Sequence, residues 1–148
     1  MSLVIYCDGS GQGLAGLPGG WAFAVLRDEA LLQRGAGGVK KTTSNHMELN
    51  AALEGLRCAL TLRRGDEPIL LVTDSRLTID VAEGRDVPVR LEREAAALCE
   101  VFAGAGATAR WVRGHSGEPW NEQVDAAARE ARLAVTSAKA RRRLLARR

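Results

Sequence analysis

Four acidic residues occur at separate places in the chain where folding could bring them together. Asp8 and Asp74 each end a short apolar run, and Glu48 and Asp125 each lie in a stretch with helical spacing. Carboxylate oxygens are the hard ligands that divalent cations such as Mg²⁺ prefer. Two carboxylates at the ends of two strands, joined by two from helices, could hold a pair of such ions. That arrangement is the apparatus of two-metal phosphodiester chemistry.

Each of these acids also has a simpler interpretation. Asp8 stands before Gly-Ser and could begin a turn. Asp74 could cap the helix that follows it. Asn45 and Glu48 have the spacing of a capping box. Asp125 stands four residues before Arg129, which is the spacing of an ion pair on a helix surface. Only their joint occurrence on suitable elements favours a metal site.

Sequence patterns predict the elements that would position these carboxylates. Apolar runs predict strands at 2–8, 21–26, 31–39, 69–73 and 108–112, and helical spacing predicts helices at 45–63, 75–83, 91–102 and 118–135. The glycine-rich segment 11–20 is predicted to be a loop, and 27–29 a hairpin turn. Trp111 and Trp120 flank the loop at 114–117 and are predicted to form core beneath it, in preference to stacking on bases. The order predicts an α/β fold with a mixed five-stranded sheet, in which a three-strand antiparallel meander joins two parallel strands and helices cover both faces.

Length and composition limit the classes of protein. The 148 residues, of which 46% are hydrophobic and 26% charged, suffice for one domain with a buried core. No run approaches the roughly 18 apolar residues of a membrane span, and we expect no signal peptide because a strand-like run begins almost at once. The three cysteines lack metal-binding spacing and indicate thiols in a reducing compartment. We therefore expect a cytoplasmic protein that does not engage a membrane.

The charge of the chain is unevenly distributed. The net charge is +3, yet residues 137–148 contain six basic residues and no acidic one, which leaves 15 basic against 18 acidic residues elsewhere. We accordingly divide the chain into a domain of residues 1–136 and a basic C-terminal tail of residues 137–148. Such a tail can attract nucleic acid by releasing counterions, although a solvated chain end would explain the same charges.

Several motifs, in order along residues 4–132, resemble the ribonuclease H family. They are Asp8-Gly9-Ser10, the Gly-Gly-Trp that leads into the second strand, the segment 43–52 around Met-Glu-Leu, Thr73-Asp74-Ser75, and Gly-His-Ser-Gly at 114–117 followed by Asn121 and Asp125. Any one of these motifs is weak alone, but their order on the expected elements is specific. The resemblance is closest to the ribonuclease HI branch. It implies a ribonuclease H-like fold and a metal-dependent endonuclease that cleaves the RNA strand of RNA–DNA hybrids.

The resemblance also implies roles for particular residues. Asp8, Glu48, Asp74 and Asp125 would be ligands of two Mg²⁺ ions, for which Mn²⁺ is a possible substitute, and Asp8 would bridge both ions. His115 would assist proton transfer or product release, as suits a side chain that titrates near neutral pH. The products would carry 5′-phosphate and 3′-hydroxyl ends. Substrate contacts are implied for Gly9, Ser10, Asn45, Glu48 and Ser75 with the RNA strand, and for Thr43 and Lys41 with a phosphate of the DNA strand.

Three features depart from the family's pattern. The basic, tryptophan-rich protrusion of many ribonucleases HI has no counterpart in the short segment 81–90. No Asn precedes the helix at Leu91, where the family often completes a DNA-phosphate pocket, and His46 stands where Arg or Gln is more usual. The substrate would then be held by other groups, for which the basic tail is a candidate. A DNA-cutting nuclease of the same fold and a non-catalytic hybrid-binding module are the alternatives, and we expect a monomer.

Overall fold

A mixed five-stranded sheet forms the centre of the computed structural model, which describes residues 1–12 and 16–136. Its strands are β1 (Leu3–Ser10), β2 (Leu17–Arg27), β3 (Ala30–Thr42), β4 (Ile69–Thr73) and β5 (Thr108–Trp111). They lie in the order β3-β2-β1-β4-β5; β1, β2 and β3 are antiparallel neighbours, while β4 is parallel to β1 and β5 to β4. The predicted fold class is confirmed. The basic tail predicted at 137–148 lies outside the described residues.

Helices cover both faces of the sheet. They are α1 (Ser44–Leu62), α2 (Arg76–Ala82), α3 (Glu92–Gly104) and α4 (Pro119–Val135). Alternation along β2 shows how the faces divide: Phe23 and Val25 join the core with α1 and α3, whereas Ala22, Ala24 and Leu26 join the core with α4. No helix in the described part of the chain is long and apolar enough to span a membrane.

Two glycines allow α4 to lie directly on the sheet. A Cβ atom at Gly20 would clash with the carbonyl oxygen of Ala128, and one at Gly38 would lie 2.5 Å from the carbonyl oxygen of Ala131. Neither approach is possible for a residue with a side chain unless the helix moves away. The close packing therefore brings α4, with its acidic residue Asp125, against the strands that carry the other acids.

The predicted elements agree with the structure except at the ends of the hairpin strands. The prediction that all of 11–20 is a loop is wrong, because β2 already begins at Leu17. Pairing of Leu17 with Thr42 and of Gly20 with Ser10 places this segment in the sheet despite its turn-forming composition. β3 (Ala30–Thr42) likewise extends beyond the predicted 31–39, because its additional residues pair with β2. The predicted hairpin turn is present, and Asp28 and Glu29 both have positive φ values, 50° and 67°.

Candidate active site

The parallel pairing of β1 with β4 brings Asp8 and Asp74 to the same edge of the sheet. The ladder runs to Tyr6 opposite Val72, so both acids lie just beyond the last paired residues. Glu48, in the first turns of α1, projects to the same place. Oxygen atoms of the three carboxylates all lie within 4.8 Å of one another. The structure thus brings together three of the four predicted metal ligands.

Gly9 and Thr43 explain how Glu48 reaches this cluster. A Cβ atom at Gly9 would clash with the backbone at Glu48, so glycine lets the start of α1 lie against the end of β1. The helix begins after Thr43, whose hydroxyl accepts a hydrogen bond from the His46 amide at 3.1 Å. The capping-box interpretation of Asn45 and Glu48 is therefore wrong, because Thr43 provides the cap and the glutamate takes part in the acidic cluster.

Asp125 lies beside the cluster but also forms an ion pair. Its Oδ2 accepts a hydrogen bond from Nη2 of Arg129 at 2.7 Å, which is the helix-surface pair that the spacing predicted. It also lies within hydrogen-bonding reach of Asp8, and its charge raises the pKa of both Glu48 and Asp74. The group within 4.8 Å consists of the other three acids. A role for Asp125 as a metal ligand therefore stays a prediction.

Burial and mutual repulsion raise the pKa of the clustered carboxyls. Asp8 is only 3% exposed, and its burial, followed by the charges of Glu48 and Asp74, raises its pKa far above the ordinary range. Burial is also the main cause that raises the pKa of Glu48 and of Asp74. One buried oxygen of Glu48, Oε2, has no hydrogen-bond partner among the described residues. Crowded, buried acids with an unpaired oxygen fit a hard divalent cation, which would offset the repulsion and use that oxygen.

Contacts from several elements hold Asp74. Ser75, rather than Asp74, caps α2, because the Ser75 hydroxyl accepts a hydrogen bond from the Thr78 amide at 3.1 Å. The N-cap interpretation of Asp74 is therefore wrong, and its carboxylate is available to the cluster. Burial raises the pKa of Asp74, and a side-chain hydrogen bond from Asn121, which is 2% exposed, offsets part of that rise. A Cβ atom at Gly114 would lie only 3.0 Å from Oδ2 of Asp74, so the glycine lets the histidine loop approach.

His115 is exposed on the loop that follows β5. Its backbone is left-handed, with φ of 55°, and the loop is held by a hydrogen bond from the Gly117 amide to Oε1 of Glu122 at 3.1 Å. The neighbouring Gly114 lies against the Asp74 carboxylate, so the loop carries His115 close to the cluster while the side chain remains open to water. This position suits exchange of protons between the site and solvent, and the catalytic role stays a prediction.

The residues predicted to contact substrate lie at the ends of β1, β3 and β4 and at the start of α1. The end of β1 abuts the start of α1, since a Cβ atom at Gly11 would lie 2.7 Å from the Ser44 hydroxyl. His46, a departure from the family's pattern, has its Nδ1 3.2 Å from the hydroxyl of Thr42 and is tied to the end of β3. The predicted contacts are Gly9 and Ser10 at the end of β1, Lys41 near the end of β3, Thr43 and Asn45 at the start of α1, and Ser75 after Asp74. Their roles stay predictions.

The two tryptophans beside the histidine loop lie in different environments. Trp120 is partly buried and packs against the core beneath α4, as predicted. Trp111 is 38% exposed, so the prediction that it is a core residue is wrong. The cause is topological, because β5 is short and lies at the edge of the sheet. Sequence patterns did not predict the contacts of Trp111 and Asn121 with Asp74. No local pattern connects a side chain to a residue more than 35 positions away.

Comparison with known proteins identifies the family. The family model for RNase H matches residues 1–132. A curated relative called Ribonuclease H from Paracidovorax citrulli is 37% identical over 139 residues, which cover 85% of this chain and 91% of the relative. A Ribonuclease H from Rhizobium meliloti is 36% identical over 139 residues, with 85% and 87% covered. The chain belongs to the RNase H family and is an endoribonuclease.

Solved structures share the architecture. LC11-RNase H1, solved in complex with an RNA/DNA hybrid, matches with a TM-score of 0.77 at 18% identity over 92% of this chain and all of that one. The N-terminal RNase H domain of a Mycobacterium tuberculosis protein matches with a TM-score of 0.76 at 22% identity over 90% and 95% of the two chains. At these identities the likeness concerns the fold, and it agrees with the predicted arrangement of the sheet.

Proposed function

We propose that this chain hydrolyses the RNA strand of RNA–DNA hybrids, leaving 5′-phosphate and 3′-hydroxyl ends. The observation that carries the proposal is the cluster of Asp8, Glu48 and Asp74 within 4.8 Å at the edge of an RNase H sheet. The relatives named Ribonuclease H support the reaction, and the hybrid complex of LC11-RNase H1 supports the substrate.

We propose that Asp8, Glu48, Asp74 and Asp125 hold two Mg²⁺ ions, which Mn²⁺ could replace. When bound, such ions lower the pKa of an attacking water and stabilise the leaving 3′ oxygen. Asp8 would contribute to holding both ions, because it is the most buried of the four and interacts with each of the others. Asp125 would share its carboxylate with Arg129, whose guanidinium already orients one oxygen. His115 would carry protons between the site and bulk water.

The surrounding residues would select the substrate by the chemistry of each strand. RNA differs from DNA by its 2′-hydroxyls, which the shallow minor groove of a hybrid displays. The hydroxyl of Thr43 accepts a hydrogen bond from the helix and retains a proton to donate to a phosphate, and the exposed Lys41 supplies a positive charge nearby. The tail at 137–148 would add sequence-independent attraction. The proposed RNA contacts are Gly9, Ser10, Asn45, Glu48 and Ser75.

Cleavage of four matched substrates, with and without Mg²⁺, tests this proposal. We expect only the RNA of an RNA–DNA hybrid to be cut, and only with metal, whereas RNA–RNA, DNA–DNA and single-stranded RNA stay intact. Asp8→Asn should lose cleavage but retain hybrid binding, and Asp86→Asn, which changes an exposed acid outside the cluster, should cleave normally. The products should lose a terminal phosphate to a phosphatase only from their 5′ ends.

Other outcomes would select the alternatives. Cleavage of the DNA duplex would indicate a DNA-cutting nuclease of the same fold. Binding of hybrid without cleavage in Mg²⁺ or Mn²⁺ would indicate a non-catalytic module. We also propose that the active form is a monomer, so light scattering during the assay should give a mass near the 15.8 kDa of the chain.

A further inference from the structure

The side chain of Trp111 is bonded to the backbone of Asp74. Its indole Nε1 donates a hydrogen bond to the Asp74 carbonyl oxygen at 3.0 Å. On the ring face, the guanidinium carbon of Arg76 lies 3.9 Å from the ring centroid. Trp111 is the last residue of β5, and Arg76 is the first residue of α2. The pair therefore connects the edge strand, the end of β4 and the start of a helix at one point.

This point is where the backbone of β4 leaves the sheet. The Val112 amide still donates to the Thr73 carbonyl oxygen at 3.0 Å, in continuation of the ladder between β4 and β5. The carbonyl of Asp74 is the next acceptor along the chain, and the side chain of Trp111, rather than a strand, occupies it. The indole bond thus extends the support of the sheet by one residue, to the residue that carries the carboxylate.

Asp74 needs such support because the cluster repels it. Two other carboxylates have oxygens within 4.8 Å, and like charges at that distance favour an outward movement of the least buried one. Asp8 is enclosed by the sheet, whereas Asp74 is only partly buried at its edge. A small shift of its backbone would spoil the spacing of the ligand set, since Mg²⁺ demands near-ideal octahedral geometry.

Arg76 lies where it can restrain the orientation of the indole ring. The Nε1–H lies in the plane of the ring, so the orientation of the exposed ring fixes where that hydrogen points. A guanidinium stacked on one face is attracted to the ring and restrains this orientation. The neighbouring Ser75 is fixed as the helix cap, which holds Arg76 in turn.

We propose that Trp111, oriented by Arg76, is a positioning residue that holds Asp74 for divalent-cation binding. The inference rests on the proposed function, since it requires Asp74 to be a metal ligand. Trp111 acts through the backbone of Asp74, so it affects metal affinity rather than contact with the hybrid.

Trp111→Phe tests this role, because phenylalanine keeps a ring for Arg76 but has no N–H donor. We measure Mn²⁺ binding to the full chain without substrate, by the electron paramagnetic resonance signal of free Mn²⁺. We expect the dissociation constant to rise about 3- to 10-fold, the range that one hydrogen bond supports. The cleavage rate should fall at low Mg²⁺ and recover at high Mg²⁺, while KM for the hybrid at saturating metal stays unchanged.

Two further variants control for the loss of a tryptophan and for folding. Trp120→Phe alters a tryptophan of α4 that packs against the core between this helix and the sheet. The Mn²⁺ affinity of this variant should equal that of the unmodified chain. Arg76→Leu leaves the indole in place but removes the stacked cation, and it should weaken Mn²⁺ binding, whereas Arg76→Lys should restore part of the affinity. Because Arg76 is exposed, these variants test the inference even where Trp111→Phe does not fold.

Unchanged Mn²⁺ affinity in both Trp111→Phe and Arg76→Leu would overturn the inference. An equal loss in Trp120→Phe would also overturn it, and so would a raised KM with unchanged metal affinity, which would make Trp111 a substrate contact. The unmodified chain separates the two proposals. If it neither binds Mn²⁺ nor cleaves hybrid, the proposed function fails; if it does both and the variants match it, only the positioning role fails.

Discussion

Replacement of Asp8 by asparagine should stabilise the metal-free protein. Asp8 is 3% exposed, and oxygens of Glu48 and Asp74 lie within 4.8 Å of its carboxylate. At an effective dielectric constant of about 20, two unit charges at that separation repel each other by about 3 kcal/mol. Asparagine has nearly the same volume and retains an oxygen to accept the hydrogen bond from the Gly9 amide, which measures 2.9 Å. The substitution thus removes repulsion without opening a cavity.

We expect the free energy of unfolding to rise by about 2 kcal/mol at pH 8 in EDTA. This value is below the full repulsion, because the raised pKa of Asp8 lets the native state keep a proton on this carboxyl at pH 8 and so avoid part of the repulsion. For a domain of this size, such a change raises Tm by about 5 °C. Urea and thermal unfolding, followed by far-ultraviolet circular dichroism, measure both quantities.

The stabilisation should depend on pH with a definite sign. The folded-state pKa of Asp8 is raised from 3.8, so above that pH the native state binds more protons than the unfolded state. The stability that this carboxyl contributes is therefore present at low pH and is lost as the pH rises towards the folded-state pKa. Asparagine does not titrate, so the difference between the variant and the unmodified chain should widen from pH 5 to pH 8.

Addition of Mg²⁺ should reverse the order of stability. A cation that binds only the native state stabilises it by an amount that grows with the logarithm of the cation concentration divided by Kd. Loss of Asp8, which we propose as a metal ligand, should abolish most of that gain. Asp86→Asn, at an exposed position, is the control and should change neither Tm nor the response to Mg²⁺. If Asp8→Asn unfolds at or below the Tm of the unmodified chain at pH 8 in EDTA, the electrostatic reasoning is refuted.

Three other perturbations address the histidine, the tail and the packing of α4. His115→Ala should reduce kcat about 10- to 100-fold without abolishing cleavage, and complete loss in a steady-state assay would give this side chain a larger role. Truncation after Thr136 should weaken hybrid affinity and flatten its salt dependence, by about 0.9 in logarithmic slope for each phosphate that the tail neutralises; an unchanged slope would mean that the tail does not bind nucleic acid. Gly20→Ala should lower the free energy of unfolding by about 1–3 kcal/mol, because its Cβ atom would clash with the Ala128 carbonyl. Gly104→Ala, where a Cβ atom meets nothing within 4 Å, should be neutral or slightly stabilising in the same unfolding assay.

The acidic residues on strands could be identified from sequence because local patterns mark strand ends. Asp8 and Asp74 follow apolar runs, and the carboxyl ends of parallel neighbours meet at one edge of a sheet. Local caps were assigned less well, because several residues near a helix start can provide the same hydrogen bond. Thr43 and Ser75, rather than Asn45 and Asp74, proved to be the caps. Glu48 and Asp74 therefore do not serve as caps, and both belong to the acidic cluster.

The class of fold and the acids from which a metal site can be built were predictable from the amino-acid sequence, because strand and helix periodicities and short motifs are local properties. The geometry of that site depends on how the elements pack in the folded protein. The approach of α1 through Gly9 and of α4 through Gly20 depends on contacts between distant segments, and so does the exposure of Trp111 at the sheet edge. Distances between such segments depend on how the elements pack and on the order of the strands in the sheet. A short stretch of sequence contains neither kind of information.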